Sequence, residues 1–162
     1  MSKLEGPLNK STRKHSYWTF AFWRMEWGWE HSTVMLKNSE GRRTIPYLER
    51  WIIYAGRITL RLHKFHCPDD PRAPHDHPWW FITIPLHAYR EIVWDGALRY
   101  RNEVMPLRPH FRPSTYRHMV TGPCPVWTLV ISGAVSRKWG FWKTPTQFVP
   151  YHDWNDDVDS AK

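Results

Sequence analysis

Cysteine is scarce in this chain: Cys67 and Cys124 are the only two in 162 residues. Two thiols do not build a disulfide framework, and reduced cysteines fit a cytosolic setting. No apolar run approaches the roughly 18 residues of a membrane-crossing helix. The opening Met1-Ser2-Lys3-Leu4-Glu5-Gly6-Pro7 lacks the apolar segment of a secretory signal. The expected location is therefore the cytoplasm, with no membrane partner. Zinc-finger spacing, RNP-type aromatic motifs and helix-turn-helix patterning are all missing, as is any repeat of solenoid length. Nucleic acid is thus not the expected partner, although the formal net charge is +8. The arginines read as solvated strand faces or as the lining of a pocket for a small anionic substrate.

Aromatic residues are plentiful, at 16% with 12 Trp, and there are 14 Pro. Large aromatics suit half-buried strands and pocket walls, while proline at this density breaks long helices. The length suits one domain. We place it at residues 17–150, between a flexible basic arm over 1–16 and an acidic tail over 151–162 that carries Asp153, Asp156, Asp157 and Asp159. Short strands separated by turn signals predict an all-β sandwich or barrel. Residues 17–29 read as strand and turn, and 37–44 as a loop around Asn38-Ser39-Glu40-Gly41. Pro46 to Tyr54 reads as a short helix, with proline in its first turn and Gly56 closing its end.

From Arg57 to His66 the chain alternates, with Leu60, Leu62 and Lys64 on one face and Arg61, His63 and Phe65 on the other. A strand from His77 to Ile84 follows. Tyr89–Trp94 and Leu98–Val104 form a hairpin around Asp95-Gly96. Val126–Ser132 is apolar on both faces, and Arg137–Trp142 is the last strand.

The chemistry concentrates in Pro74-His75-Asp76-His77-Pro78 and in His118, 41 positions after His77. An H-x-H pair in extended chain puts both imidazoles on one face. A third imidazole from another strand can complete a site for one divalent metal with coordination positions left open. Tyr116 shares the parity of His118. Asp76, at the opposite parity to the pair, reads as a surface or turn residue. His63, His66, His87 and His110 read as structural or surface histidines. Arg61, on a strand leading into the site, is a candidate clamp for a carboxylate or phosphate, and a salt bridge to Glu49 or Glu91 is the competing reading. Trp79 and Phe81 are pocket wall or core, and Tyr89 and Tyr116 are candidate hydrogen-bond donors to substrate or O2.

These residues resemble the cupin superfamily of double-stranded β-helix (jelly-roll) barrels over roughly 57–143. The match lies in His75-Asp76-His77, the strand after it, the turn near Gly96 and the later His118. Leu62-His63-Lys64-Phe65-His66, Trp127-Thr128-Leu129-Val130-Ile131-Ser132-Gly133 and Trp139-Gly140-Phe141 look like a cupin family frequent in bacteriophage genomes, in which case the compartment would be the host cytoplasm. Among characterised cupins, His75-Asp76-His77 with Glu91 looks most like cysteine dioxygenase, which holds iron(II) with three histidines and oxidises a small thiol with O2.

The resemblance implies a metal held by His75, His77 and His118. Fe(II) is the favoured ion, with Zn or Ni as alternatives. Glu91 is the candidate fourth ligand, because Trp80-Phe81-Ile82 offers no carboxylate where the first cupin motif usually has one. It further implies a small-molecule substrate bound by Arg61, Tyr89, Trp79 and Phe81, with Arg61 and Tyr116 as catalytic candidates. Pairing into a homodimer is also expected of such barrels. A non-catalytic protein that binds or sequesters a nucleotide-like ligand is the alternative function.

Overall fold

The computed structural model describes residues 9–23, 25–37, 44–69 and 73–154. Every regular element among them is a β-strand: β1 (Asn9–Phe22), β2 (Met25–Lys37), β3 (Thr44–Gly56), β4 (Ile58–Phe65), β5 (Phe81–Pro85), β6 (Tyr89–Asp95), β7 (Leu98–Val104), β8 (His110–Arg112), β9 (Arg117–Thr121), β10 (Val126–Ser132), β11 (Gly140–Trp142) and β12 (Phe148–Pro150). No helix among them is long and apolar enough to cross a membrane.

One layer is a seven-stranded sheet in the order β1-β2-β3-β4-β10-β5-β8. The other layer combines the sheet β7-β6-β9 with the pair β11-β12, and isolated bridges from His75 to His118 and to Phe141 join those two pieces. All the strand pairings are antiparallel. The expected all-β architecture is therefore present, and the Asp95-Gly96 hairpin joins β6 to β7 with Gly96 at φ 58. That is a left-handed conformation open to glycine at no steric cost.

Three expectations are overturned. The helix over 46–54 is a strand, because β3 hydrogen-bonds along both edges, to β2 and to β4. Such a double ladder outweighs a weak local propensity. Pro46 is accommodated where the β2–β3 register shifts, between Val34 and Met35, the kind of irregular position in which strand prolines occur. Gly56, at φ 70, then opens the tight turn into β4 rather than closing a helix. The flexible arm is a strand from residue 9 onward, since β1 pairs along its length with β2. At the other end, residues 151–154 belong to the barrel. Trp154 is buried and stacks on Phe141 at 4.3 Å, and Tyr151 stacks on Trp139 at 4.4 Å. Residues 1–8, 24, 38–43, 70–72 and 155–162 lie outside the described residues.

Core packing is split. Ala73, Phe141, Val149 and Trp154 close one end, while Tyr89, Val104, Val120 and Val126 pack beneath Phe65. Between the layers remains a cavity of about 240 Å³.

Candidate metal centre

The segment carrying the H-x-H pair is not a regular strand, but it is extended and clamped on both sides. His75 exchanges backbone hydrogen bonds with His118 (2.9 and 3.0 Å), the Asp76 amide donates to the Gly140 carbonyl, and the His77 amide donates to the Ser114 carbonyl. Alternation survives, so His75 and His77 both line the cavity while Asp76 points the opposite way.

Asp76 is fully buried rather than at the surface. Its carboxylate accepts from the Gly140 amide (2.9 Å), the Arg137 guanidinium (2.6 Å) and the Trp142 indole (3.1 Å). A buried carboxylate persists only with such partners. Here they staple the ligand-bearing segment to β11.

His118 comes from β9. It completes a group in which one ligand atom from each of His75, His77 and His118 lies within 4.8 Å of the others. His77 Nε2 and His118 Nε2 face each other at 2.9 Å. Nitrogens bound at a right angle to one ion at about 2.1 Å would stand about 3 Å apart, so this separation fits a shared cation. Burial, and then the neighbouring His75 and His118, push the His77 pKa well below its ordinary value, which keeps the ring neutral as a ligand must be.

Glu91 is not gathered with the histidines. On β6 it lies diagonal to His118, which pairs directly with Val93, and its Oε2 accepts from His118 Nδ1 at 2.8 Å. Oε1 takes Asn102 (2.8 Å), Arg112 (2.8 Å) and the Tyr116 hydroxyl (2.6 Å). Both oxygens are engaged, so the fourth-ligand role expected of Glu91 gives way to holding the His118 ring with Nε2 toward the cavity. Burial raises the Glu91 pKa, but hydrogen bonding and charge from His118, with the Arg112 charge and the Tyr116 hydroxyl, outweigh it and hold the group at about 2.

Tyr116 likewise sits behind the histidines, outside the cavity lining. Burial and the Glu91 carboxylate raise its pKa. Its expected contact with substrate is replaced by the bond to Glu91.

Across the cavity, Arg61, Trp79, Phe81 and Tyr89 all contribute to the lining. Arg61 is buried, lies over the Trp79 ring at 4.3 Å and donates to the Ser132 hydroxyl. Neither Glu49 nor Glu91 pairs with it; Glu49 takes His31 and His66, and Glu91 takes Arg112. Burial lowers the Arg61 pKa to about 10, which leaves it a cation at neutral pH. Tyr89 is buried, and burial, with Glu91 next, raises its pKa.

The sequence reads His63 as a structural or surface histidine and does not single out Asp69. His63 lines the cavity beside Arg61, and its buried Nε2 has no hydrogen-bond partner. Its parity with Arg61 was the available signal. Asp69, from the turn after β4, accepts from the Val120 amide (2.7 Å) and the Tyr47 hydroxyl, and it lies 3.9 Å from His75 Nδ1. No local pattern marks it, because its partners are distant in sequence.

No family model matches the chain, and no curated protein matches it. Among solved structures it is similar to Streptomyces albus HEPD with 2-hydroxyethylphosphonate and Fe(II) bound, at 12% identity over 57% of this chain and 22% of that one, TM-score 0.46. It is similar to oxalate decarboxylase at 15% identity over 59% and 28%, TM-score 0.45. A cupin domain from Bordetella pertussis Tohama I aligns at 10% identity over 56% and 95%, TM-score 0.43. The aligned region is about a quarter of each of the first two chains, 22% and 28%. The chain itself is an antiparallel two-layer structure with His75, His77 and His118 between the layers.

Proposed function

We propose that this chain is a mononuclear metal-dependent enzyme, with Fe(II) the favoured ion, that dioxygenates a small polar or anionic metabolite. The observation that carries the reading is the convergence of His75, His77 and His118 on one wall of a cavity whose opposite wall presents the buried Arg61 cation. Those histidines would hold the ion, and bound Fe(II) would supply one-electron chemistry with open positions for substrate and O2.

The chain's own residues do the rest. Three neutral imidazoles contribute no negative charge, so the site favours an anionic group. Arg61, pre-oriented by Trp79 and Ser132, binds a second anionic or polar end and fixes its direction. Glu91 holds His118 in one tautomer and orientation. Phe81 and Trp79 keep the wall dry, which strengthens each electrostatic contact.

The test is elemental analysis of untagged protein, wild type and His77→Ala, together with O2 consumption on a panel of small carboxylates and thiols. Stoichiometric iron lost in the variant, with metal-dependent O2 uptake, supports the proposal. Equal metal content in both proteins rejects it. The arginine stacked on tryptophan favours the second reading, a binder of a flat anionic ligand, and native mass spectrometry showing a retained, unmodified nucleotide without metal-dependent turnover would establish that one instead.

A further inference from the structure

The inner face of the large sheet carries a polar row that metal binding leaves unused. Paired directly across five strands, it reads Lys14, Ser32, Arg50, His63 and Thr128. The row beside it runs Tyr17, Glu30, Ile52, Arg61, Val130 and Thr83. Cross-strand neighbours stand about 5 Å apart, and alternate residues of one strand about 7 Å. Arg50, Arg61 and His63 are therefore one contiguous cluster, and all three line the cavity.

Charge on this face is unbalanced. Glu30, the one carboxylate in the two rows, lies 2.9 Å from Lys14 Nζ and 3.7 Å from Arg50 Nη2. Lys14, Arg50 and Arg61 set three positive charges against that single negative one, an excess of two. Arg50 is fixed in place by its Nε, which donates to the Ser32 hydroxyl at 2.9 Å. Asp69, the other acid of the lining, stands on the histidine wall and is held there by the Val120 amide and the Tyr47 hydroxyl. Beside both guanidiniums, the buried His63 Nε2 has no hydrogen-bond partner among the described residues. Burial, then the Arg61 and Arg50 charges, push the His63 pKa well below its ordinary value, so the ring faces the empty cavity neutral. A buried polar atom left unpaired is costly, and here it marks room for an occupant.

We propose that Arg50, Arg61 and His63 form a subsite for a tetrahedral dianion, so that the small substrate of the proposed enzyme carries a phosphoryl group. The assignment rests on the reading of this cavity as a substrate site. A carboxylate is planar and singly charged, and one guanidinium fork satisfies it. It would leave the second guanidinium and the imidazole unmet. A phosphoryl group brings nearly two negative charges and three terminal oxygens. Each guanidinium then has an acceptor, and so does an N–H at His63 Nε2, while the two charges cancel the excess on the face. The cavity, at about 240 Å³, is smaller than the roughly 300–1,000 Å³ of pockets for drug-sized ligands. The phosphoryl group is therefore attached to a short chain, whose other end meets the histidine wall.

Isothermal titration calorimetry of the full chain with inorganic phosphate, methyl phosphate and acetate tests this, wild type beside Arg50→Met, Arg61→Met, His63→Phe and His77→Ala. Wild type is expected to bind both phosphates at least about a hundredfold more tightly than acetate, and each of the first three variants to lose about tenfold, as for one hydrogen bond to a charged group. His77→Ala is expected to bind them about as tightly as wild type. Phosphates held no better than acetate, or held undiminished in all three variants, overturn the subsite. So does binding lost in His77→Ala, which would seat the anion on the metal. Binding of inorganic phosphate without methyl phosphate overturns it in favour of the free ion. Metal content of the same His77→Ala protein decides the metal site independently, so either assignment can fail alone. Should the cavity variants fail to fold, phenylglyoxal labelling of wild type decides: Arg50 shielded by phosphate and not by acetate supports the subsite, and equal labelling overturns it.

Discussion

The two walls of the cavity are built on opposite principles. On the histidine wall the polar groups are backed by carboxylates: Glu91 behind His118, Asp69 near His75, and Asp76 stapling the segment between the two H-x-H rings. On the facing wall, Arg61 has a hydroxyl and an indole for partners, and His63 Nε2 has none. On the first wall the protein holds the rings and their segment from behind, leaving the cavity-facing nitrogens for a cation. The second keeps hydrogen-bonding capacity open toward the cavity, and an unfilled buried group lowers the stability of the empty protein. Rigid ligands for a cation and an unsatisfied cradle for an anion are the division of labour that the proposed chemistry needs.

Substitutions should therefore act with opposite sign on the two walls. The largest effect is expected for His118→Ala, in which bound metal falls from stoichiometric to background in elemental analysis; retained metal would dissolve the comparison. Glu91→Gln keeps the shape but removes the charge that faces Arg112 and His118. Metal affinity should fall roughly 10- to 100-fold, and chemical denaturation should show a loss of about 3–5 kcal/mol, because a buried guanidinium is left uncompensated.

Acid should report the same group. The folded Glu91 value of about 2 lies below the ordinary 4.5. Its stabilisation, on the order of 3 kcal/mol, is thus complete above pH 4.5 and drains away as pH falls toward 2. A metal-free unfolding series across that window should slope steeply in wild type and less in Glu91→Gln.

Asp76→Ala strands the buried Gly140 amide and should cost about 2–3 kcal/mol, with metal affinity reduced through loss of the staple. The smallest and most diagnostic change is Arg61→Met. Replacing a buried cation that has no carboxylate partner among the described residues should raise the thermal stability of the empty protein by about 1 kcal/mol while abolishing turnover or ligand capture. A loss of stability there would show that the arginine is structural and that the walls do not differ.

Local alternation carried much of this into the sequence. Arg61, His63 and Phe65 share a face because strand side chains alternate with period two, and the cavity lining confirms that set. The strand Leu98–Val104 and the Asp95-Gly96 turn follow from the same local rules. His75, His77 and His118 were legible as a group because imidazoles at that spacing have few other joint uses. The strand character of β3 was not legible. Its two ladders come from β2 and β4, and a window holding Pro46, Leu48, Trp51 and Ile52 fits a helical period as well as an extended one. That Trp29, Ile53 and Leu60 face outward was hidden for a related reason, since each looks like core until register shows which face the cavity occupies.

What the sequence alone determined is the alternation, the turns and the inventory of donor atoms, all properties of neighbouring residues. Only the tertiary structure decided which carboxylate serves which ring. Asp69 meets the Val120 amide across 51 positions and Asp76 the Gly140 amide across 64. Pairings at such range are set by how two sheets close on each other, and no local period encodes that closure.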